Sequence, residues 1–200
     1  MRDINISLYK FNELSKDVQD KVIQRYRNYE LDGLLYENLE DIMKREFNDK
    51  VDNLDFDLSY SLNSCQGDGV SFDGTVKYKD ELLTLALLVY NNRVPKNILR
   101  LIERDIIYSV EFTRNSHYYV HKYTVTISII DNYNTNKDYC HISRAIADFE
   151  KAINKWYLNI CDDLEKFGYT TIENMYSDDN IKSFIEAHEY EFFIDGRDFL

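Results

Sequence analysis

The sequence has little glycine, less proline and no long apolar run. Proline occurs once, at Pro95, and only six glycines are spread over 200 residues. So few breakers exclude a Pro- or Gly-rich linker chain and favour continuous helices and strands. Cysteine occurs three times, at Cys65, Cys140 and Cys161. The number is odd, the spacing is wide and no Cys-x-x-Cys occurs. That excludes a disulfide framework and a zinc knuckle, and fits reduced thiols in a cytosolic protein. The longest apolar run, Leu82 to Tyr90, is interrupted by Thr84 and is too short to cross a bilayer. Met1 to Ser7 carries no apolar stretch of signal-peptide length. The expected location is the cytoplasm, with no membrane partner.

Positive charge is also scarce. Lys and Arg total 24 against 36 Asp and Glu, a net charge of −12 and a pI of about 4.8. Residues 30–73 carry 12 acids against 3 bases, and residues 161–200 carry 11 against 3. Residues 1–29 and 74–160 are mildly basic. Binding to DNA depends on neutralising phosphates, so direct DNA binding is not expected. Two strongly negative segments suit a basic protein surface, including one that normally holds nucleic acid.

What is present is a hydrophobic pattern of both periods. Ile4, Ile6 and Leu8 alternate and predict a short first strand. Ser15 is placed to cap a helix carrying Val18, Val22, Tyr26 and Tyr29, and Leu34 to Phe47 reads as a second helix. Leu54, Phe56, Leu58, Tyr60 and Leu62 alternate with Asp and Ser, predicting a strand with one wet face. A glycine turn follows, then a partner strand over Val70 to Tyr78. Leu82 to Tyr90 lacks β-branching and favours a helix, and Pro95 opens another through Ile102. Ile106, Tyr108, Val110 and Phe112 alternate. After a hairpin connection, Arg114 to His117, the pattern from Tyr119 to Ile129 predicts one long strand. The stripe from Ile142 through Phe149, Ile153, Trp156, Ile160 and Leu164 to Phe167 predicts a helix ended by Gly168. Ser177 caps a further helix, Tyr190 to Ile194 reads as extended, and Asp195-Gly196 as a turn. The expected class is α+β: a mostly antiparallel sheet of about four to five strands packed with N-terminal and C-terminal helices. One domain over 1–200 is expected, with an acidic helical subregion over 141–200.

Catalytic chemistry has thin support. Asp55, Asp57, Asp68 and Asp73 surround the glycine turn, but the EF-hand spacing is missing, and strand-surface carboxylates are the plainer reading. Gly67-Asp68-Gly69 lacks the Gly-Lys-Ser/Thr ending of a P-loop. His117 and His121 have no carboxylate at zincin spacing, and the adjacent Cys140 and His141 diverge. Cys161 reads as a packed small side chain. No catalytic residue, metal or cofactor is expected. Tyr118, Tyr119 and Tyr123 interleave with Arg114, His121 and Lys122, a pattern that serves either base stacking or sheet-face packing.

Three segments carry a family resemblance: Leu8-Tyr9-Lys10-Phe11-Asn12-Glu13-Leu14-Ser15, then Ser64-Cys65-Gln66-Gly67-Asp68-Gly69-Val70-Ser71-Phe72-Asp73-Gly74, and Ile185-Glu186-Ala187-His188-Glu189-Tyr190-Glu191-Phe192 through Asp195-Gly196. In these, and in their order, the chain resembles a widespread family of small bacteriophage and mobile-element proteins. His188 departs from a commonly Asn-like position. The resemblance bears no catalytic residue. It implies an anti-defence role, of anti-CRISPR or anti-restriction type. The expected function is stoichiometric inhibition of a host defence nuclease or CRISPR effector through its basic surface. The acidic candidates are Glu37, Glu40, Asp41, Asp162, Asp163, Asp178, Asp179, Glu186 and Glu189. The alternative is a nucleotide-sequestering protein using the loop residues Cys65, Gln66, Gly67, Asp68, Gly69 and Phe72 with the tyrosine strands.

Overall fold

The computed structural model describes residues 7–29, 32–63, 65–116, 118–132 and 140–199, with the backbone alone for 28–29, 32–37 and 140. In chain order the elements are β1 (Tyr9–Lys10), α1 (Lys16–Tyr29), α2 (Asp32–Lys50), β2 (Phe56–Ser61), β3 (Gly69–Val76), α3 (Lys79–Val89), α4 (Lys96–Glu103), β4 (Ile107–Arg114), β5 (Val125–Asp131), α5 (Cys140–Met175), α6 (Asp178–Ala187) and β6 (Glu191–Phe192). Short 3-10 turns occupy Phe11–Glu13 and Lys122–Thr124. The class is α+β, with a four-stranded antiparallel sheet in the order β2-β3-β4-β5 and a two-stranded one, β1-β6. The contacts divide the chain into two compact units, 1–41 with 169–200 (unit 1) and 42–168 (unit 2).

Unit 2 is built on the sheet. Phe56 lies opposite Gly74, which lies opposite Phe112, which lies opposite Ile127. Partners in register point to one face, so these side chains form a single apolar surface. Phe72 is its hub. It is 0% exposed, and its ring centroid lies 5.1 Å from Phe47, 5.1 Å from Phe56, 4.6 Å from Tyr157 and 5.9 Å from Trp156. Helix α5 supplies the cover through Ala145, Phe149, Ile153, Tyr157, Cys161 and Leu164, all buried at three- and four-residue steps. Unit 1 closes on Phe11, Leu14, Val22, Ile23, Tyr26, Ile181, Ile185 and Phe192. Its β1-β6 pairing sets Tyr9 opposite Phe192, and Arg25 ties α1 to the C-terminal turn through Asp198 at 2.6 Å and Gly196 O at 2.8 Å.

Four elements differ from the sequence reading. The predicted first strand falls partly outside the described residues; what is seen is the two-residue β1. Ile107, Ser109 and Val110 are buried while Tyr108 is exposed, because a bulge between Ile107 and Ser109 shifts the register by one. The strand expected from Tyr119 begins only at Val125. Before it, local bonds replace the ladder: the His121 ring accepts from Tyr123 N, and Thr124 N and Oγ1 both donate to His121 O. Finally, α5 runs on past Gly168 to Met175. That glycine serves close approach, since a Cβ there would lie 2.4 Å from Leu62 Cδ1 and 3.2 Å from Met43 Sδ. None of the described helices is long and apolar enough to cross a membrane.

Candidate acidic interaction surface

Charge divides unevenly. Unit 1 holds 17 acids and 8 bases, net −9, whereas unit 2 holds 19 and 16, net −3. Within unit 1 the bases are largely engaged. Arg27 pairs with Asp178 and donates to Tyr176 O at 3.2 Å. Lys182 pairs with Asp179 at 3.6 Å, Arg25 with Asp198 at 2.6 Å, and Arg197 with Asp195 at 2.8 Å. The exposed carboxylates of Asp17, Asp20, Asp41, Glu173, Glu186 and Glu189 make no ion pair among the described residues.

Helix α6 organises the C-terminal part of this surface. Ser177 Oγ caps it, accepting from Asn180 N at 3.4 Å, and Asp178 and Asp179 fill the first turn, where the helix dipole favours negative charge. At its other end His188 Nδ1–H donates to Phe184 O at 2.9 Å, and the His188 ring stacks on Tyr190 at 5.5 Å and 9°. Glu189 then adopts φ +53°, a left-handed conformation that turns the chain toward β6. Beside this end, Lys10, Phe11, Asn12, Ile185, Glu186, Glu189 and Tyr190 line a cavity of about 270 Å³. Lys10 pairs with neither of the two glutamate carboxylates: its Nζ donates to Glu189 O at 2.9 Å and pairs with Glu191 at 3.7 Å.

The nine acidic candidates therefore have different surroundings. Glu186 and Glu189 share the cavity, Asp178 and Asp179 cap α6 with their charge met by Arg27 and Lys182, and Asp41 is exposed. Glu40 is exposed and has a partner. The Glu37 side chain lies outside the described residues. Asp162 and Asp163 belong to unit 2, where they pair with Lys122 and with Lys50. Lys10, Phe11 and Tyr190 were not singled out as site residues. No spacing in the sequence joins the two ends of the chain; the β1-β6 register does.

In unit 2 the glycine turn and the tyrosine segment meet. Asp68 fastens the turn, accepting from Ser61 Oγ at 2.6 Å, Asn63 N at 2.9 Å and Cys65 N at 2.7 Å. The Ser61 bond, with help from Cys65 N, holds its carboxyl below the usual aspartate range. Gly67 at φ +92° is the seat of the Tyr119 ring; a Cβ there would fall 2.2 Å from Tyr119 Cδ1. Tyr119 stays 56% exposed, Tyr118 94% and Tyr123 72%. Ser116 Oγ accepts from Tyr118 N and Tyr119 N, at 3.3 and 3.2 Å, and fixes the start of this segment. Lys122, bonded to Asp162, has its ammonium further favoured by the charge of Glu165, and its pKa is raised. Of the loop candidates, Cys65 and Gln66 are exposed, Gly69 is buried against His121 and Val120 O, and Phe72 belongs to the core. Ser64 and His117 lie outside the described residues.

The four aspartates do not gather. Asp57 and Asp73 face each other across β2 and β3, with Asp73 paired to Arg114 at 2.5 Å, while Asp68 is spent on its turn. A shallow groove of about 550 Å³ runs over Asp57, Ser59, Asp73, Thr113 and Arg114 on this polar sheet face. No group of three or more His, Cys, Asp or Glu suited to a metal occurs among the described residues. The Tyr157 hydroxyl is buried beside the Cys161 thiol, and burial pushes that thiol up to about 12.

Residues 35–180 match a family described as a domain of unknown function (DUF8835), and the chain belongs to that family. No curated protein and no solved structure matches it.

Proposed function

We propose that this member of the family is a non-enzymatic binding protein. Its acidic unit 1 docks on a basic, nucleic-acid-handling surface of another protein. The partner class is a bacterial defence nuclease or CRISPR effector, and the chain acts as a phage-encoded stoichiometric inhibitor in the host cytoplasm. One observation carries this reading: three quarters of the net negative charge sits in unit 1, where five of the eight bases are already engaged and six exposed carboxylates are not. Fields of one sign steer association and weaken with salt.

The structure also decides which charges to reverse. Asp178 is bonded to Arg27 and Asp179 sits at a helix N-terminus, so changing them disturbs the fold. Asp17, Asp20, Glu173, Glu186 and Glu189 are the better set. Purified defence nucleases are assayed for cleavage against rising amounts of the chain at low and high salt. Inhibition saturating at one chain per nuclease, lost at high salt and lost with Lys at those five positions, is the expected result. Inhibition that ignores both salt and charge reversal sinks the electrostatic reading.

A second reading has its own observation. Tyr119 packs on the glycine turn at Gly67, and Tyr118 and Tyr123 of the same segment are exposed, aromatic faces suited to stacking a nucleobase. A nucleotide held this way stabilises the fold by about 2.7 kcal/mol at a hundred times its Kd. Melting curves across a panel of nucleotides test it, and an unmoved Tm throughout removes it.

A further inference from the structure

We infer that the cavity between the Phe11–Glu13 turn and the C-terminal end of α6 is a socket for one arginine side chain of a basic partner protein. This rests on the docking reading above and gives it a place.

The cavity lies wholly within unit 1 and measures about 270 Å³. That falls below the roughly 300–1,000 Å³ of pockets that enclose drug-sized ligands, and suits a single side chain. Phe11 and Ile185 close its base, 4% and 0% exposed, and the Tyr190 ring, 37% exposed, is the apolar face left for the methylene stem of a long cationic side chain. One wall is Tyr190, whose ring is braced in parallel by His188 and tilted against Tyr26 at 5.7 Å. A braced aromatic face is what a planar guanidinium stacks on, and an ammonium uses it less well. The rim carries Glu186 and Glu189, neither of them in an ion pair. The one lysine present does not fill the socket, because Lys10 Nζ is held by Glu189 O and Glu191. Glu189 keeps its place through a left-handed φ of +53° within a turn closed by His188 N to Phe184 O and Glu189 N to Glu186 O. A braced aromatic wall and two unspent carboxylates at the mouth of a cavity of single-side-chain size together describe an arginine, and they repel a phosphate.

The test uses the full chain, ¹⁵N-labelled, titrated with a hexa-arginine peptide, with hexa-lysine and with the neutral isostere hexa-citrulline. Two variants accompany it. Glu186→Gln with Glu189→Gln removes the rim charge. Asn12→Trp fills the cavity from its exposed edge without changing net charge. Preserved amide dispersion confirms that both variants fold.

The expected result is shift changes at the amides of Lys10–Asn12 and Ile185–Tyr190 with hexa-arginine, weaker with hexa-lysine and absent with hexa-citrulline. Each variant is expected to weaken hexa-arginine binding about tenfold, equivalent to about 1.4 kcal/mol. Hexa-arginine binding that Asn12→Trp leaves untouched, with shifts spread over other acidic residues, overturns the socket and leaves acidic docking intact. Equal affinity for hexa-lysine overturns the arginine assignment. No binding of either cationic peptide at low salt overturns the socket and the docking reading together.

Discussion

Replacing Gly168 by alanine sets two effects of known size against each other. In an open helix the change gains about 0.8–1.0 kcal/mol, because glycine carries the larger entropic cost of ordering. At this position the new methyl would meet Leu62 Cδ1 at 2.4 Å, Met43 Sδ at 3.2 Å and Met43 Cε at 3.4 Å. Carbon atoms rest about 3.5–4.0 Å apart, so Leu62 has to retreat by about 1 Å. Met43 is fully buried and has no solvent to retreat into. Overpacking of this kind costs about 1–3 kcal/mol. The net expectation for Gly168→Ala is a loss of about 1 kcal/mol, or about 2–4 °C in Tm for a chain of this size. Leu62→Ala removes the nearest obstacle. In that background Gly168→Ala should gain about 0.5–1 kcal/mol, so the cycle gives a coupling of about 1.5–2 kcal/mol. Trp156, the only tryptophan, packs against Phe72 in unit 2 and reports the transition by fluorescence during urea unfolding. A gain from Gly168→Ala equal in both backgrounds refutes the close-approach argument and returns Gly168 to the role of an ordinary helix glycine.

Three further predictions follow from the same geometry. In a Cys140→Ser background, iodoacetamide at pH 8 should label the exposed Cys65 within minutes and leave Cys161 unmodified until the chain unfolds, since burial holds that thiol near 12; equal labelling of both refutes the burial argument. Asp68 is depressed below its ordinary 3.8, so its stabilising contribution is present above that value and is lost as pH falls through the folded-state pKa. Asp68→Asn should therefore destabilise the chain at pH 7 and match it at pH 2 in denaturant titrations, and a constant difference across pH would contradict this. Ser177→Ala should lower stability by about 0.5–1 kcal/mol, the low end for caps because the Asn180 N bond is long at 3.4 Å, with a matching loss of far-UV helical signal on heating.

The elements were legible where one period dominates. Helix α4, capped by Pro95, and helix α6, capped by Ser177, follow from their residues, as does the alternation of β2 around Phe56. Of the stripe that predicts the long helix, Phe149, Ile153 and Leu164 are buried, as is Cys161, whereas Ala145 and Tyr157 take buried positions beside the half-buried Ile142, Trp156 and Ile160. Ala145 is small and Tyr157 carries a hydroxyl, and a hydrophobicity count overlooks both. The bulge at Tyr108 and the His121-centred turn stayed hidden because both are set by hydrogen bonds that period-two patterning does not encode. At the candidate surface, the acidity of α6 was plain, and so was the glycine turn. The cavity was not, because Phe11 and Tyr190 meet only through strands of two residues each, too short to leave a pattern.

Unit 1 takes its residues from both sides of unit 2: Phe11, Val22 and Tyr26 come before it, Ile181, Ile185 and Phe192 after it. A ribosome delivers a chain in one direction. Unit 2 is contiguous, so everything it needs has emerged once α5 has left the exit tunnel. The acidic unit has to wait for β6, and until then Val22, Ile23 and Tyr26 on α1 lack the side chains that cover them. Of the two units, the one proposed to meet a partner is thus completed after the other.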